Sequence, residues 1–214
     1  VTCPFGLSPN DELYLWGLLH LTFSQEEPTC EFLATPHYCL RQLGIVDQNS
    51  KQQKRYDTFR QAIRRLSAVV YQNNRFYDPV RSEHRDVMFG LLKYSLPTNP
   101  RSGRAWRFIW DQQFFDLCQA MRGSFQFDLD LYREFDFASR RLFLFLKKVF
   151  WRRDTISLDV EHLTTSVLGF AQTLPAKKQK VKLRQCVERL AQYRIVDGKT
   201  LDDSLFTKRT KGKY

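Results

Sequence analysis

Two stretches of this chain repeat the same order of predicted elements, and this repetition constrains the fold more than any single motif does. In each stretch, two helical patterns precede a third, basic helical pattern, and a β-hairpin signature follows. The first stretch covers residues 7–77 and the second covers residues 135–206. Because the order agrees, each stretch supports the element assignments made in the other.

The first stretch contains three predicted helices followed by a hairpin. Ser8 precedes a proline, which is typical of an N-cap followed by the first helical residue. Thr35 starts a second helix in the same way, and Gly44 ends it. A basic third helix is predicted over residues 51–67. A hairpin is predicted over residues 69–77, with its asparagine-rich centre as the turn.

Residues 78–124 separate the two stretches. Residues 87–96 have a β-forming composition, and alternating aromatic residues predict a half-buried strand over 105–110. A helix is predicted over residues 112–121. We interpret this block as an elaborated wing of the first unit together with a connector.

The second stretch repeats the three helices. A long helix is predicted over residues 139–153, and Asp159 caps a shorter helix that ends at Gly169. Residues 177–180 are predicted to form a basic linker, and the third helix is predicted over residues 181–193.

Short strands are also predicted in the second stretch. Residues 155–158 have the composition of a strand. Asp197-Gly198 is a strong tight-turn pair, which predicts a hairpin that begins at residues 195–196 and returns at residues 205–206.

Helix, helix, basic helix and hairpin is the order of the winged-helix version of the helix-turn-helix. The expected fold class is therefore α+β and predominantly helical, with two tandem winged-helix domains. The first domain covers residues 1–124 and the second covers residues 125–214. The first is a candidate for dimerisation, and the second is expected to be the main DNA-binding domain.

The charge distribution favours the second domain as the partner of a polyanion. The net charge is +11, of which +3 lies in residues 1–124 and +8 in residues 125–214. A basic field attracts nucleic acid or an acidic membrane surface. No stretch is long and apolar enough to predict a membrane span.

The basic third helices carry the candidate nucleic-acid residues. Such a helix enters the major groove, where Arg and Gln suit base edges and Lys suits phosphates. The candidates in the second unit are Lys178, Lys180, Lys182, Arg184 and Gln185, and those in the first unit are Lys54, Arg55, Arg60 and Arg64. Lys208 and Arg209 could follow a phosphate backbone or belong to an unstructured tail. A solvated charged face is the alternative for both helices.

The sequence offers little sign of catalysis. It contains no P-loop, no H-E-x-x-H motif and no histidines paired at metal-ligand spacing. The five cysteines include no C-x-x-C pair, so reduced thiols in a cytoplasmic protein are expected. We therefore expect neither enzymatic activity nor a metal or other cofactor.

Three segments resemble a known family. Residues 136–146 are similar to the "S-x-R-L-Y-x-L-L" opening of the second winged helix in plasmid replication initiators. In the first unit, residues 40–44 and 56–66 resemble sequence motifs of the first winged helix in the same initiators. The chain is similar in these segments to the replication initiator protein A family, which is related to the iteron-binding Rep proteins. The resemblance spans about residues 7–206.

This resemblance implies a replication initiator that binds double-stranded DNA at repeated sites of a plasmid-type origin and recruits host replication proteins. It implies dimerisation through the first unit and no catalytic step. It also implies that Lys180, Lys182, Arg184 and Gln185 face bases or phosphates and that Arg189 contacts the flanking backbone. A transcriptional repressor is the nearest alternative, and a protein-interaction module with a solubilising basic surface is the rival from another class.

Overall fold

The computed structural model describes residues 1–47, 53–78, 81–99, 102–120, 128–150, 153–197 and 205–206. It is an α+β structure with small antiparallel sheets. The chain divides into two compact units, unit 1 (Val1–Gln126) and unit 2 (Phe127–Tyr214).

Unit 1 combines helices with two antiparallel sheets. Its elements are α1 (Asp11–Phe23), β1 (Glu31–Ala34), α2 (Pro36–Gln42), α3 (Gln53–Ser67), β2 (Val70–Asp78), β3 (Glu83–Gly90), β4 (Leu92–Ser95), β5 (Trp106–Trp110) and α4 (Gln112–Ala120). One sheet has the order β1-β5-β4, and β2 and β3 form a separate two-stranded sheet.

The core of unit 1 forms between the helices and the three-stranded sheet. Trp106, Phe108 and Trp110 alternate along β5, and all three are buried, as the spacing of these aromatic residues predicts. The Phe59 ring of α3 stacks on Trp106 with ring centroids 5.3 Å apart. The inner face of α3 is therefore held against the sheet by aromatic packing.

The start of α1 differs from the prediction. The helix begins at Asp11 after Asn10, so Ser8 is not its N-cap. Ser8 instead donates from its backbone N–H and its hydroxyl to the Asp11 carboxylate, at 2.7 and 2.9 Å. Arg65 of α3 donates two further hydrogen bonds to that carboxylate, each 2.7 Å long. Asp11 is 1% exposed, so this ion pair fastens α3 to α1 inside the unit.

The predicted hairpin over residues 69–77 is also wrong in its turn. β2 continues through the asparagine-rich segment to Asp78 and pairs with β3, from Val70 opposite Gly90 to Asp78 opposite Glu83. The ladder accommodates the polar segment through an irregularity between Asn73 and Phe76. Composition suggested a turn, but the pairing of the flanking aromatic residues decides the register.

Unit 2 is helical in its described residues. Its elements are α5 (Leu129–Glu134), α6 (Phe137–Phe150), a π-helical turn (His162–Val167) and α7 (Ala176–Gln192). The Asp159 carboxylate accepts a hydrogen bond from the His162 N–H at 2.8 Å, as predicted for a capping residue. Gly169 follows the turn with φ +72°, a left-handed conformation that favours glycine.

Three predictions for unit 2 are wrong. Residues 155–158 form no strand, and neither residues 195–196 nor residues 205–206 are strands of the predicted hairpin. The segment predicted as a linker, residues 177–180, is the first part of α7. The predicted tight turn at Asp197-Gly198 lies partly outside the described residues. The lysines in the first turn of α7 interrupt the apolar periodicity on which the prediction of a helix depends, so the pattern places the start of this helix too late.

The Asp11–Arg65 pair yields a stability prediction. Replacing Asp11 with Ala leaves a partly buried guanidinium and Ser8 without their acceptor. We expect a loss of about 3 kcal/mol in the free energy of unfolding, measured by urea denaturation. The control is Asp57→Ala, which removes an exposed carboxylate from α3. Equal losses in the two variants would contradict the structural role assigned to the pair.

Candidate nucleic-acid interface

One apolar face fixes α7 to the rest of unit 2. It packs against α6, and its residues Leu183, Val187 and Leu190 are 4%, 7% and 0% exposed. Cys186 lies on the same face, and burial raises the pKa of its thiol. Since an α-helix turns once every 3.6 residues, burying this face directs the residues of the opposite face towards solvent.

The first turns of α7 are held by a buried glutamine. Gln179 is 7% exposed. Its side-chain amide donates to the Leu174 carbonyl at 2.9 Å, and its side-chain oxygen accepts from the Thr164 hydroxyl at 2.7 Å. Gln179 therefore ties the start of α7 to the π-helical turn and to the segment between them. This orientation sets where the neighbouring lysines point.

α7 carries half of the residues predicted to bind DNA. Those that are exposed are Lys178, Lys180, Lys182 and Gln185, and those that are half-buried are Arg184 and Arg189. Lys177 is exposed on the outer face of the helix and was not among the candidates. We call this face, formed by Lys177, Lys178, Lys180, Val181, Lys182, Arg184 and Gln185, the α7 basic surface.

Two aromatic rings lie against cations of this surface. Phe206 places its ring 5.5 Å from the Lys180 ammonium and 5.8 Å from the Arg184 guanidinium carbon. On the other flank, the Phe170 ring lies 5.7 Å from the Lys182 ammonium. Such cation–π contacts are attractive within about 6 Å of the ring centroid. The rings therefore restrain cations on both flanks and leave the strip between them open.

Arg189 has a partner within its own unit. Its guanidinium is paired with the Asp136 carboxylate, which also accepts a hydrogen bond from the Ser139 N–H at the start of α6. A phosphate contact by Arg189 would have to compete with this ion pair. The arrangement therefore favours a role for Arg189 in joining α6 to α7.

The electrostatics of the helix start favour an anionic ligand. The first turn of α7 contains no acidic residue and includes Lys177 and Lys178. Cations at a helix N-terminus oppose the helix dipole, whereas an anion there is stabilised by the dipole and by unpaired backbone N–H groups. A phosphate bound at this end would relieve the repulsion that the lysines create.

The basic helix of unit 1 is used differently. Lys54, Arg55 and Arg64 are exposed on α3. Arg60, another predicted DNA contact, donates to the Pro97 carbonyl at 3.1 Å and lies 5.0 Å from the centre of the Trp106 ring. Arg60 thus holds the segment between β4 and β5. The remaining candidates, Lys208 and Arg209, lie outside the described residues.

Several residues of this site were missed by sequence reasoning. Gln179 is polar, and its burial depends on two hydrogen bonds that no apolar pattern could indicate. The sequence pattern predicts a strand at Phe206 and no role for Phe170. Only the spacing of the aromatic residues relative to the basic helix could have suggested their contacts with its cations.

The described residues contain no group of three or more His, Cys, Asp or Glu side chains placed to hold a metal ion. Within the same ranges, no helix is long and apolar enough to cross a membrane. Cys3, Cys30, Cys39, Cys118 and Cys186 are free thiols.

Two crystal structures share the fold of this chain. The structure of RctB domains 2–3 aligns with a TM-score of 0.57 at 14% identity, and the match covers 86% of this chain and 69% of that chain. A selenomethionine derivative of RctB domains 2 and 3 aligns with a TM-score of 0.57 at 12% identity, covering 86% and 70%. At these identities the likeness shows a shared fold. No family model and no curated protein matches the chain significantly.

The buried glutamine yields a second stability prediction. Replacing Gln179 with Ala leaves the Leu174 carbonyl without its side-chain donor. We expect the free energy of unfolding to fall by about 2 kcal/mol in urea denaturation. Gln192→Ala, which changes an exposed glutamine at the end of the same helix, is the matched control. If both variants unfold at the wild-type urea concentration, Gln179 does not anchor α7.

Proposed function

We propose that this chain is a sequence-specific double-stranded DNA-binding protein that acts as a replication initiator. In this proposal both units are winged helices and α7 is the main recognition helix. Unit 1 adds contacts or forms a homodimer. The protein acts in the cytoplasm at short repeated sites of a plasmid-type origin, where it recruits host replication proteins. It needs neither a cofactor nor a catalytic step of its own.

The topology of unit 1 supports the winged-helix assignment. Three helices, α1 to α3, precede the β4–β5 hairpin, and β5 pairs back with β1. In this assignment, the segment between β4 and β5 is the wing, and the β2–β3 hairpin is an insertion between the third helix and the wing. In this assignment, Arg60 fastens α3 to the wing through its hydrogen bond to the Pro97 carbonyl.

The α7 basic surface is the observation that carries the proposal. Along α7, Lys and Arg outnumber Asp and Glu by six to one. Four of these cations are exposed lysines, and none of those four has an ion-pair partner in the described residues. In a helix-turn-helix protein, the residues at the start of the recognition helix contact base edges. The four lysines lie in the first two turns of α7, and Gln185 lies in the next turn on the same surface.

The fold likeness supports the same class of function. RctB domains 2–3 match most of this chain, and the likeness favours a fold of the replication-initiator type. The sequence resemblance to plasmid replication initiators is an independent argument for that class. Assignment to one particular initiator family, repeated sites and a dimer are the finer parts of the proposal.

The direct test is a selection of binding sites. The full chain is mixed with fragments of its own genetic neighbourhood and an excess of random duplex, and the retained fragments are sequenced and footprinted. We expect protection of short direct repeats, because an initiator binds several copies of one site. The variant Lys180→Ala/Lys182→Ala should weaken this binding at least tenfold, since both cations lie on the α7 basic surface.

Other outcomes separate the alternatives. Protection of an inverted repeat over a promoter would indicate a repressor. If random duplex abolishes the retention of all fragments equally, only the general positive charge of the protein accounts for binding. If no fragment is retained even at low salt, the proposal is overturned in favour of a protein-interaction module. Lys147→Ala/Lys148→Ala, at the exposed end of α6, is the matched control and should retain wild-type protection.

A further inference from the structure

One aliphatic side chain lies at the centre of the α7 basic surface. Val181 is 52% exposed. Its neighbours on the helix surface, three and four residues away in each direction, are Lys177, Lys178, Arg184 and Gln185. Every neighbouring position on this outer face therefore holds a long polar side chain, and the valine remains open to solvent among them.

Stability of the helix does not account for this valine. An exposed helix position favours Lys, Gln or Arg over a β-branched residue, whose side chain loses conformational freedom in a helix. Val181 and Tyr193 are the exposed large hydrophobic residues among the described residues of unit 2. Tyr193 is in edge-to-face contact with the Phe135 ring, at a centroid distance of 5.2 Å.

The surroundings of Val181 match the major groove of duplex DNA. An apolar side chain in that groove contacts the C5-methyl group of thymine, and glutamine forms a bidentate pair with adenine. Val181 and Gln185 are one helical turn apart, which places their Cβ atoms about 5–6 Å from each other. Bases along one strand are about 3.4 Å apart, so the two side chains can contact neighbouring base pairs.

We propose that Val181 and Gln185 are the specificity-determining pair of α7, with Val181 contacting a thymine methyl group and Gln185 an adenine at a neighbouring base pair. The lysines and Arg184 on either side then hold the phosphates. Phe206 and Phe170 restrain cations on the two flanks and leave the strip that contains Val181 and Gln185 open. This inference depends on the proposed binding of duplex DNA and identifies which bases that binding recognises.

The test removes one methyl group from the DNA. A duplex is selected from a random 20-base-pair pool by the full chain, and each thymine of the selected duplex is replaced in turn by deoxyuridine, which lacks the C5-methyl group. Affinities are measured by fluorescence anisotropy. We expect deoxyuridine at one position to weaken wild-type binding about threefold to fivefold, as for the loss of one buried methyl group.

Protein variants identify the residue that contacts the methyl group. Val181→Ala should bind the thymine and deoxyuridine duplexes equally, with the affinity of the wild-type protein for the deoxyuridine duplex. Gln185→Ala should lose about tenfold in its preference for adenine next to that thymine. Leu33→Ala is the control, since it shortens an aliphatic side chain that is 61% exposed in unit 1, and it should keep the full thymine preference.

Failures of the two proposals look different. If wild-type protein selects no duplex over random competitor, both the proposed function and this inference are overturned. If it selects a duplex but no thymine methyl group matters, only this inference is overturned. A Val181→Ala variant that keeps the full thymine preference would also overturn it, because another residue would then contact the methyl group.

Discussion

Burial of one face of α7 is the constraint on which the rest of the site depends. Leu183, Val187 and Leu190 are withdrawn from water against unit 2, which contributes about 1.5–3 kcal/mol for each fully buried side chain. α7 cannot rotate about its axis without exposing these three side chains, so the cations on its opposite face remain in solvent. Gln179 fixes the start of the same helix by hydrogen bonds to the residues before it.

The two basic helices show how similar compositions serve different ends. In α3, Arg65 is bound by the buried Asp11 carboxylate, whose hydrogen bonds raise the pKa of the guanidinium, and Arg60 is bound by the Pro97 carbonyl. In α7, Arg189 near the end of the helix is paired with Asp136. The lysines in the first turns of α7 are exposed. Lys and Arg outnumber Asp and Glu by five to one in α3 and by six to one in α7, so charge count hardly separates the two helices. The partners of their cations favour α7 for the proposed binding of a polyanion.

The sequence predicted those elements whose periodicity is set by apolar residues. The alternating aromatic residues of β5 and the apolar faces of α3, α6 and α7 led to correct assignments. The prediction failed where polar interactions decide the structure. The start of α7 depends on the buried Gln179, and Ser8 binds a carboxylate rather than capping the backbone. The partners of Arg60 and Arg65 lie 37 and 54 residues away along the chain, beyond the reach of local patterns.

The salt dependence of DNA binding by matched double variants tests the central claim most directly. The claim is that the α7 basic surface binds the phosphates of duplex DNA. Each lost lysine–phosphate contact should reduce the slope of log affinity against log salt concentration by about 1. We therefore expect Lys178→Ala/Lys182→Ala to reduce the slope by about 2 and Lys147→Ala/Lys148→Ala, which removes the same charge from α6, to leave it unchanged. Equal slopes for both double variants would contradict the claim, because the charge of the unit as a whole, rather than this surface, would then account for binding.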